Sequence, residues 1–243
     1  MVDKIDDLAT VELWGKEVGV LSYEDDTGLC AFQYQPSWVA SGVEVSPIKL
    51  PLSDQIYQFP SLPFATYKGL PAAFADTLPD DFGNALIDAW LARTGRDKDS
   101  FTAVQRLLYT GARGMGALEY SPAIEKRQNK AQSIELDSLV AMAQTVLDQR
   151  ENLNEAFTDQ SAQDALTTIL QIGTSAGGAR AKAVIGVNAE RTEIRCGQCD
   201  LPDGFKHYLL KFDGVVEHSK SKETFGDPQG FGRMKYAYYL MAR

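Results

Sequence analysis

Apolar and polar residues alternate from Ala9 to Val20, with Val11, Leu13, Val18 and Val20 on one side and a break at Gly15-Lys16. A period of two is that of a strand with one covered face, so this stretch predicts a β-hairpin. Leu29 to Tyr34 is a third strand candidate, closed by Pro36. Val45 to Leu52 contains Pro47 and Pro51, whose missing N–H groups confine it to a sheet edge or an irregular segment. The period then changes. Phe82, Ala85, Leu86, Ala89 and Trp90 keep helical spacing, predicting a helix over about Phe82 to Arg93 that starts at Pro79-Asp80-Asp81 and ends at Gly95. A second helix is predicted from Ser100 to Tyr109, followed by a glycine-rich turn into a strand between Gly111 and Tyr120.

Ala123 to Gln132 is polar and charged and reads as a linker. Apolar residues recur at helical spacing from Leu136 to Leu147, and Ser161 to Leu170 is a further helix candidate. Val184 to Val187 and Thr192 to Arg195 read as antiparallel strands, and Tyr208 to Phe212 as another apolar run with Lys211 inside it. Glu217 to Pro228 is polar and without period. Phe231 to Arg243 begins an amphipathic helix with no Gly or Pro terminator, the mark of a domain cut short. The expected organisation is a β-rich first subdomain with helices over 1–122, a linker with helices over 123–170 and a last unit over 171–243.

A formal net charge of -9 argues against this chain holding nucleic acid by itself. Three cysteines make an odd number for a disulfide framework. No apolar stretch is long enough to span a bilayer, and the acidic Met1-Val-Asp-Lys-Ile-Asp-Asp start is unlike a signal peptide, so the expectation is a cytoplasmic protein.

Candidate chemistry centres on Ile172-Gly-Thr-Ser-Ala-Gly-Gly-Ala-Arg-Ala-Lys-Ala-Val-Ile185. Glycines let backbone N–H groups approach phosphate oxygens with no Cβ in the way. A lysine inside an apolar strand must set its ammonium against an anion, because an unpaired buried charge is costly. A glycine-rich turn followed by a strand lysine is how protein kinases cover and grip ATP phosphates. The spacing is not that of a Walker loop. The rival stretch, Gly111 to Gly116, precedes a strand and not a helix N-terminus, and reads as a structural turn. Cys196-Gly-Gln-Cys199 is a C-x-x-C without a second half, and His207 and His218 are the only histidines. Such a motif can be half a zinc site or a redox pair; here it reads as a polar turn, with a zinc site shared between two chains as the alternative.

These residues together resemble the HipA-type serine/threonine kinase toxins of type II toxin–antitoxin systems. Phe32 to Trp38 with Leu50-Pro-Leu52 is similar to that family's N-terminal β subdomain, Phe74 to Gly83 to its F-x-x-x-L-P-D motif, and Gly111 to Leu118 to the strand after it. Ser175 to Lys182 is similar to its phosphate loop and Lys211 to its ATP lysine. The resemblance implies an α+β fold: a HipA-like N-terminal β-rich subdomain, then the small lobe of a protein-kinase-like fold, with the catalytic lobe absent. It implies that Gly177, Gly178, Ala179, Arg180, Ala181, Lys182 and Lys211 contact ATP, and that Ser175 is autophosphorylated. A dianion in a loop built for phosphate would repel ATP and switch the enzyme off. It further implies a HipB-like helix-turn-helix antitoxin that binds DNA in its stead, and phosphoryl transfer to a serine of glutamyl-tRNA synthetase or a similar target.

Two departures stand out. The place of the helix glutamate that kinases pair with the strand lysine is held by Lys235. The catalytic Asp and the Mg²⁺ ligands would lie beyond Arg243, so no catalytic residue is expected within this chain and the chain alone should be inactive. The competing expectations are a naturally short, non-catalytic module that holds an antitoxin or a separate kinase chain, and a nucleotide-binding protein of unrelated fold.

Overall fold

The computed structural model describes residues 7–114, 116–124, 133–134, 136–148, 169, 181–215 and 230–243. The expected helix over Ser161–Leu170 (Ile169 apart), the loop from Gly173 to Arg180, the polar loop over 217–228 and most of the linker lie outside these residues. By internal contacts the chain forms two units, one of residues 1–79 and 99–126, the other of 80–98 and 127–243.

The first unit is built on an antiparallel sheet. Its strands are β1 (Leu8–Leu13), β2 (Lys16–Glu24), β3 (Leu29–Tyr34), β4 (Ile56–Tyr57) and β5 (Leu118–Ser121), in the order β4-β3-β2-β1-β5. The β1–β2 hairpin turns at Trp14-Gly15, one residue earlier than the sequence suggests, and both have positive φ (53° and 70°). Two positive φ angles are what a two-residue turn matching the strand twist requires. The register jumps from Val11↔Gly19 to Glu12↔Glu17, leaving Val18 unpaired in a bulge. The bulge resets the alternation: Val18 and Leu21 are buried, while Val20 is only half-buried. Gly19 is fixed by packing, since a Cβ there would lie 2.3 Å from the Gln33 carbonyl and 2.6 Å from the Phe32 ring.

Three short helices, α1 (Pro36–Ser41), α2 (Phe64–Tyr67) and α3 (Ala72–Ala75), connect the sheet to its cover. The Val45–Leu52 segment is irregular, as its prolines dictate, with one isolated bridge from Ser46 to Leu50. Helix α5 (Ala103–Thr110), which follows α4 (Asp81–Arg93) of the second unit along the chain, lies on β1, β2 and β5. It starts later than Ser100 because Thr102 and Gln105 form a capping box. Val104, Leu107 and Leu108 join Val11, Leu21, Phe32, Phe74 and Tyr120 in one core. Within the Gly111–Gly116 stretch, Gly111–Arg113 forms one 3-10 turn: Gly111 has φ 56°, and the buried Arg113 guanidinium stacks on the Tyr109 ring (4.8 Å) while donating to the Tyr109 and Thr110 carbonyls.

Burial in this core makes two of its groups harder to ionise. The Cys30 thiol is pushed from 9.0 up to about 12 by burial, then by Asp7 and Glu24, and the Tyr34 phenol up to about 12 by burial, then by Tyr57 and Glu44. Both groups are held neutral in the fold while the unfolded chain ionises first. Their contribution is therefore full below about pH 9 and is lost as pH rises toward 12. The urea midpoint of unfolding should fall between pH 8 and pH 11. An unchanged midpoint would show that neither group opens the core to alkali.

The second unit contains α4 (Asp81–Arg93), α6 (Leu136–Asp148), the helix Phe231–Met241 and a three-stranded antiparallel sheet. That sheet is β7 (Ile194–Cys196), β6 (Lys182–Asn188) and β8 (Phe205–Lys211), in the order β7-β6-β8. Helix α4 packs against α6 and is buried on more than one face, since Ile87 and Leu91 are covered as well as the predicted Phe82, Ala85, Leu86, Ala89 and Trp90. The class is α+β throughout, as expected.

Candidate functional site

The described chemistry of the second unit gathers at the start of β6. Lys182 is its first residue, is 2% exposed, and donates from Nζ to Asp80 Oδ2 at 2.6 Å. Asp80 stands at the N-cap of α4 and uses its two oxygens separately. Oδ1 accepts the Gly83 N–H at 2.7 Å, and Oδ2 takes the ammonium. A carboxylate at a helix N-terminus is favoured by the exposed N–H groups there. The same charge supplies the counter-ion that a buried lysine requires. One side chain therefore both starts α4 and ties it to the strand that follows the glycine-rich loop.

Lys182 and Lys211 are direct Cα partners on β6 and β8, so both project from the same face of the sheet. They differ in environment. Lys182 is buried, while Lys211, at the end of β8, is exposed and makes no ion pair among the described residues. The requirement that a strand lysine meet an anion applies here to Lys182, and its partner is Asp80. Lys235 lies exposed on the Phe231–Met241 helix.

Around this pair the backbone is closed. Phe212 donates its N–H to the Ala181 carbonyl at 3.1 Å, extending the β6–β8 pairing to the edge of the glycine-rich loop. Two residues beyond Lys211, the Asp213 carboxylate accepts the N–H of Gly230 at 3.1 Å, at the N-terminus of the Phe231–Met241 helix. Gly230 has φ 99°, a conformation open to glycine. Of the ATP-contacting residues expected, Ala181, Lys182 and Lys211 are therefore adjoining. Gly177, Gly178, Ala179, Arg180 and the modification candidate Ser175 lie outside the described residues. Asp80 was legible as a helix start but not as the partner of Lys182.

Among the described residues no three His, Cys, Asp or Glu side chains cluster closely enough to hold a metal ion. No helix among the described residues is long and apolar enough to cross a membrane. The first unit carries a cavity of about 330 Å³ lined by Val20, Tyr34, Pro36 and Val39 with Gln33 and Asp54.

Comparison with known families places the first part of the chain. Residues 9–121 match the HipA N-terminal domain. This stretch is a HipA N-terminal domain. Its match runs from β1 to the end of β5 and includes α4, which by its contacts belongs to the second unit. A comparison with curated proteins found no match. HipA N-terminal domains are associated with the HipA-like toxins, a family linked to kinase activity and to a HipB-type antitoxin.

Proposed function

We propose that the chain is the nucleotide-gripping front part of a HipA-like serine/threonine kinase toxin, neutralised by a HipB-like antitoxin. The observation that carries this reading is the Lys182–Lys211 cross-strand pair beside the glycine-rich loop, within a chain whose residues 9–121 are a HipA N-terminal domain. Lys182 is already neutralised by Asp80, so it holds the end of the loop in place. Lys211, exposed on the same face, is the ammonium left for an ATP phosphate. The N–H groups of Gly177 to Ala181 would cradle the remaining phosphate oxygens, with Arg180 as a second cation. In this reading phosphate on Ser175 places a dianion where ATP must bind and turns the site off. The protein substrate would be glutamyl-tRNA synthetase or a similar translation target.

The second reading, a non-catalytic module that holds an antitoxin or a separate kinase chain, is favoured by the Asp80–Lys182 ion pair, which occupies one of the two lysines. Titration of this chain with MgATP separates the two. Under the kinase reading the chain binds nucleotide weakly, and Lys211→Ala weakens binding by about tenfold or more, the value of one charge-assisted contact. Equal binding by Lys211→Ala, or none by either protein, rejects the phosphate role of Lys211 and leaves the binding module.

A further inference from the structure

The C-x-x-C turn is not used by the proposed site, and its geometry is specific. Cys196 ends β7 and Cys199 follows in the turn toward β8, with Sγ atoms 3.3 Å apart. Both thiols are reduced and buried, each 3% exposed. The turn is held against β6. Cys196 is the Cα partner of Ile185, and the Gly197 N–H donates to the Val184 carbonyl at 3.0 Å. A Cβ at Gly197 would lie 2.8 Å from backbone atoms of Val184 and Ile185, so glycine is the residue that lets the turn sit this close. Two sulfurs are thereby fixed within reach of one another by the main chain.

Among the described residues a metal site does not account for them. A structural zinc needs four ligands, and no third His, Cys, Asp or Glu joins the two cysteines among the described residues. A disulfide needs only that the sulfurs close to about 2.05 Å, a shift of roughly 1.2 Å that small side-chain rotations supply. Cys30 offers an internal contrast. It is a single thiol in the core of the first unit, and burial there drives its ionisation up to about 12.

We propose that Cys196 and Cys199 are a reversible oxidation site that forms an intrachain disulfide by exchange with a low-molecular-weight disulfide such as oxidised glutathione. One protein thiol loses its proton and attacks a sulfur of the oxidant, expelling one glutathione thiolate. The second protein thiolate attacks the protein sulfur of that mixed disulfide and expels the other. Two protein thiols are oxidised, one small disulfide is reduced, and the two protons end on the two released glutathiones. Because the sulfurs are buried, exchange runs through local opening of the turn, and the pair is read at equilibrium. The turn is bonded to β6, the strand that begins at Lys182, so oxidation acts on the sheet that carries both lysines.

The test equilibrates the full chain in glutathione buffers of stepped composition, quenches in acid, alkylates and maps peptides by mass. One two-thiol transition is expected, rising from a tenth to nine-tenths oxidised over an ~80-fold change in the ratio of oxidised glutathione to the square of reduced glutathione. The product should be a Cys196–Cys199 crosslink with Cys30 still alkylatable after unfolding. Cys30→Ser should keep the transition. Cys196→Ser and Cys199→Ser should each abolish it, leaving at most one glutathione adduct, and if either variant misfolds the wild-type map decides alone. Free alkylation of both cysteines across the whole range overturns the proposal. So does one zinc per two chains that shields both thiols from oxidation.

Discussion

Asp80→Ala should destabilise the second unit by about 3–5 kcal/mol, because it strips a buried ammonium of its carboxylate. Lys182 is 2% exposed and Asp80 9%, so water screens the pair little. Part of the loss belongs to the helix cap, about 1 kcal/mol. Asp80→Asn separates the two contributions, since its amide oxygen still accepts from Gly83 while its charge is gone. Most of the cost should remain in Asp80→Asn. Lys182→Met should cost less, because the abandoned carboxylate still faces the N-terminus of α4. The double variant Asp80→Asn/Lys182→Met should lose less than the sum of the two, giving a positive coupling in urea unfolding. A cost under about 1 kcal/mol for Asp80→Asn would mean that the ion pair does not hold α4 to β6.

Phe32→Ala should cost the first unit about 3–5 kcal/mol, by lost transfer energy plus the cavity left behind. Phe32 is fully buried on β3, with its ring 4.6 Å from that of Phe74 and 4.8 Å from that of Tyr34, the latter edge-on. It is also the ring against which Gly19 is packed. The site is poorly able to collapse, because the sheet backbone fixes Gly19 and Tyr34 and the short helix α3 fixes Phe74. Against a typical domain stability of about 5–15 kcal/mol, such a loss leaves little margin. A urea midpoint within experimental error of wild type would show that α3 moves inward to fill the space.

Strands β1, β2, β3 and β5 were legible from the sequence, whereas the two-residue β4 is too short for alternation to show. The side assignment slipped at Val20 because the bulge at Val18 adds one residue, and a period of two does not survive an insertion. Helices α1, α2 and α3 were not legible, being four to six residues long and too short for a helical period to accumulate. The start of α5 carried its own signal, Thr102 three residues before Gln105, ahead of an apolar run. At the candidate site, Lys182 and Lys211 were both readable as cations near a glycine-rich loop. Which of them is buried was not, because Lys211 stands in the more apolar run yet ends an exposed strand. The pairing of Asp80 with Lys182 spans 102 positions, and nothing local distinguishes Asp80 from the other acidic residues as the partner.

The path of the chain between its two units has a consequence for how the protein is dissected. The chain crosses from the first unit to the second after Pro79, returns after Lys98 and leaves again after Lys126. Residues 80–98, which carry α4, are thus lent by one unit out of the middle of the other's sequence. A gene fragment cut after residue 126 encodes the whole sheet of the first unit, but also an apolar α4 parted from α6, and an Asp80 parted from Lys182. A fragment beginning at residue 127 lacks that same helix. The boundary that separates these units cleanly is therefore an excision with the flanks rejoined, and not a single cut.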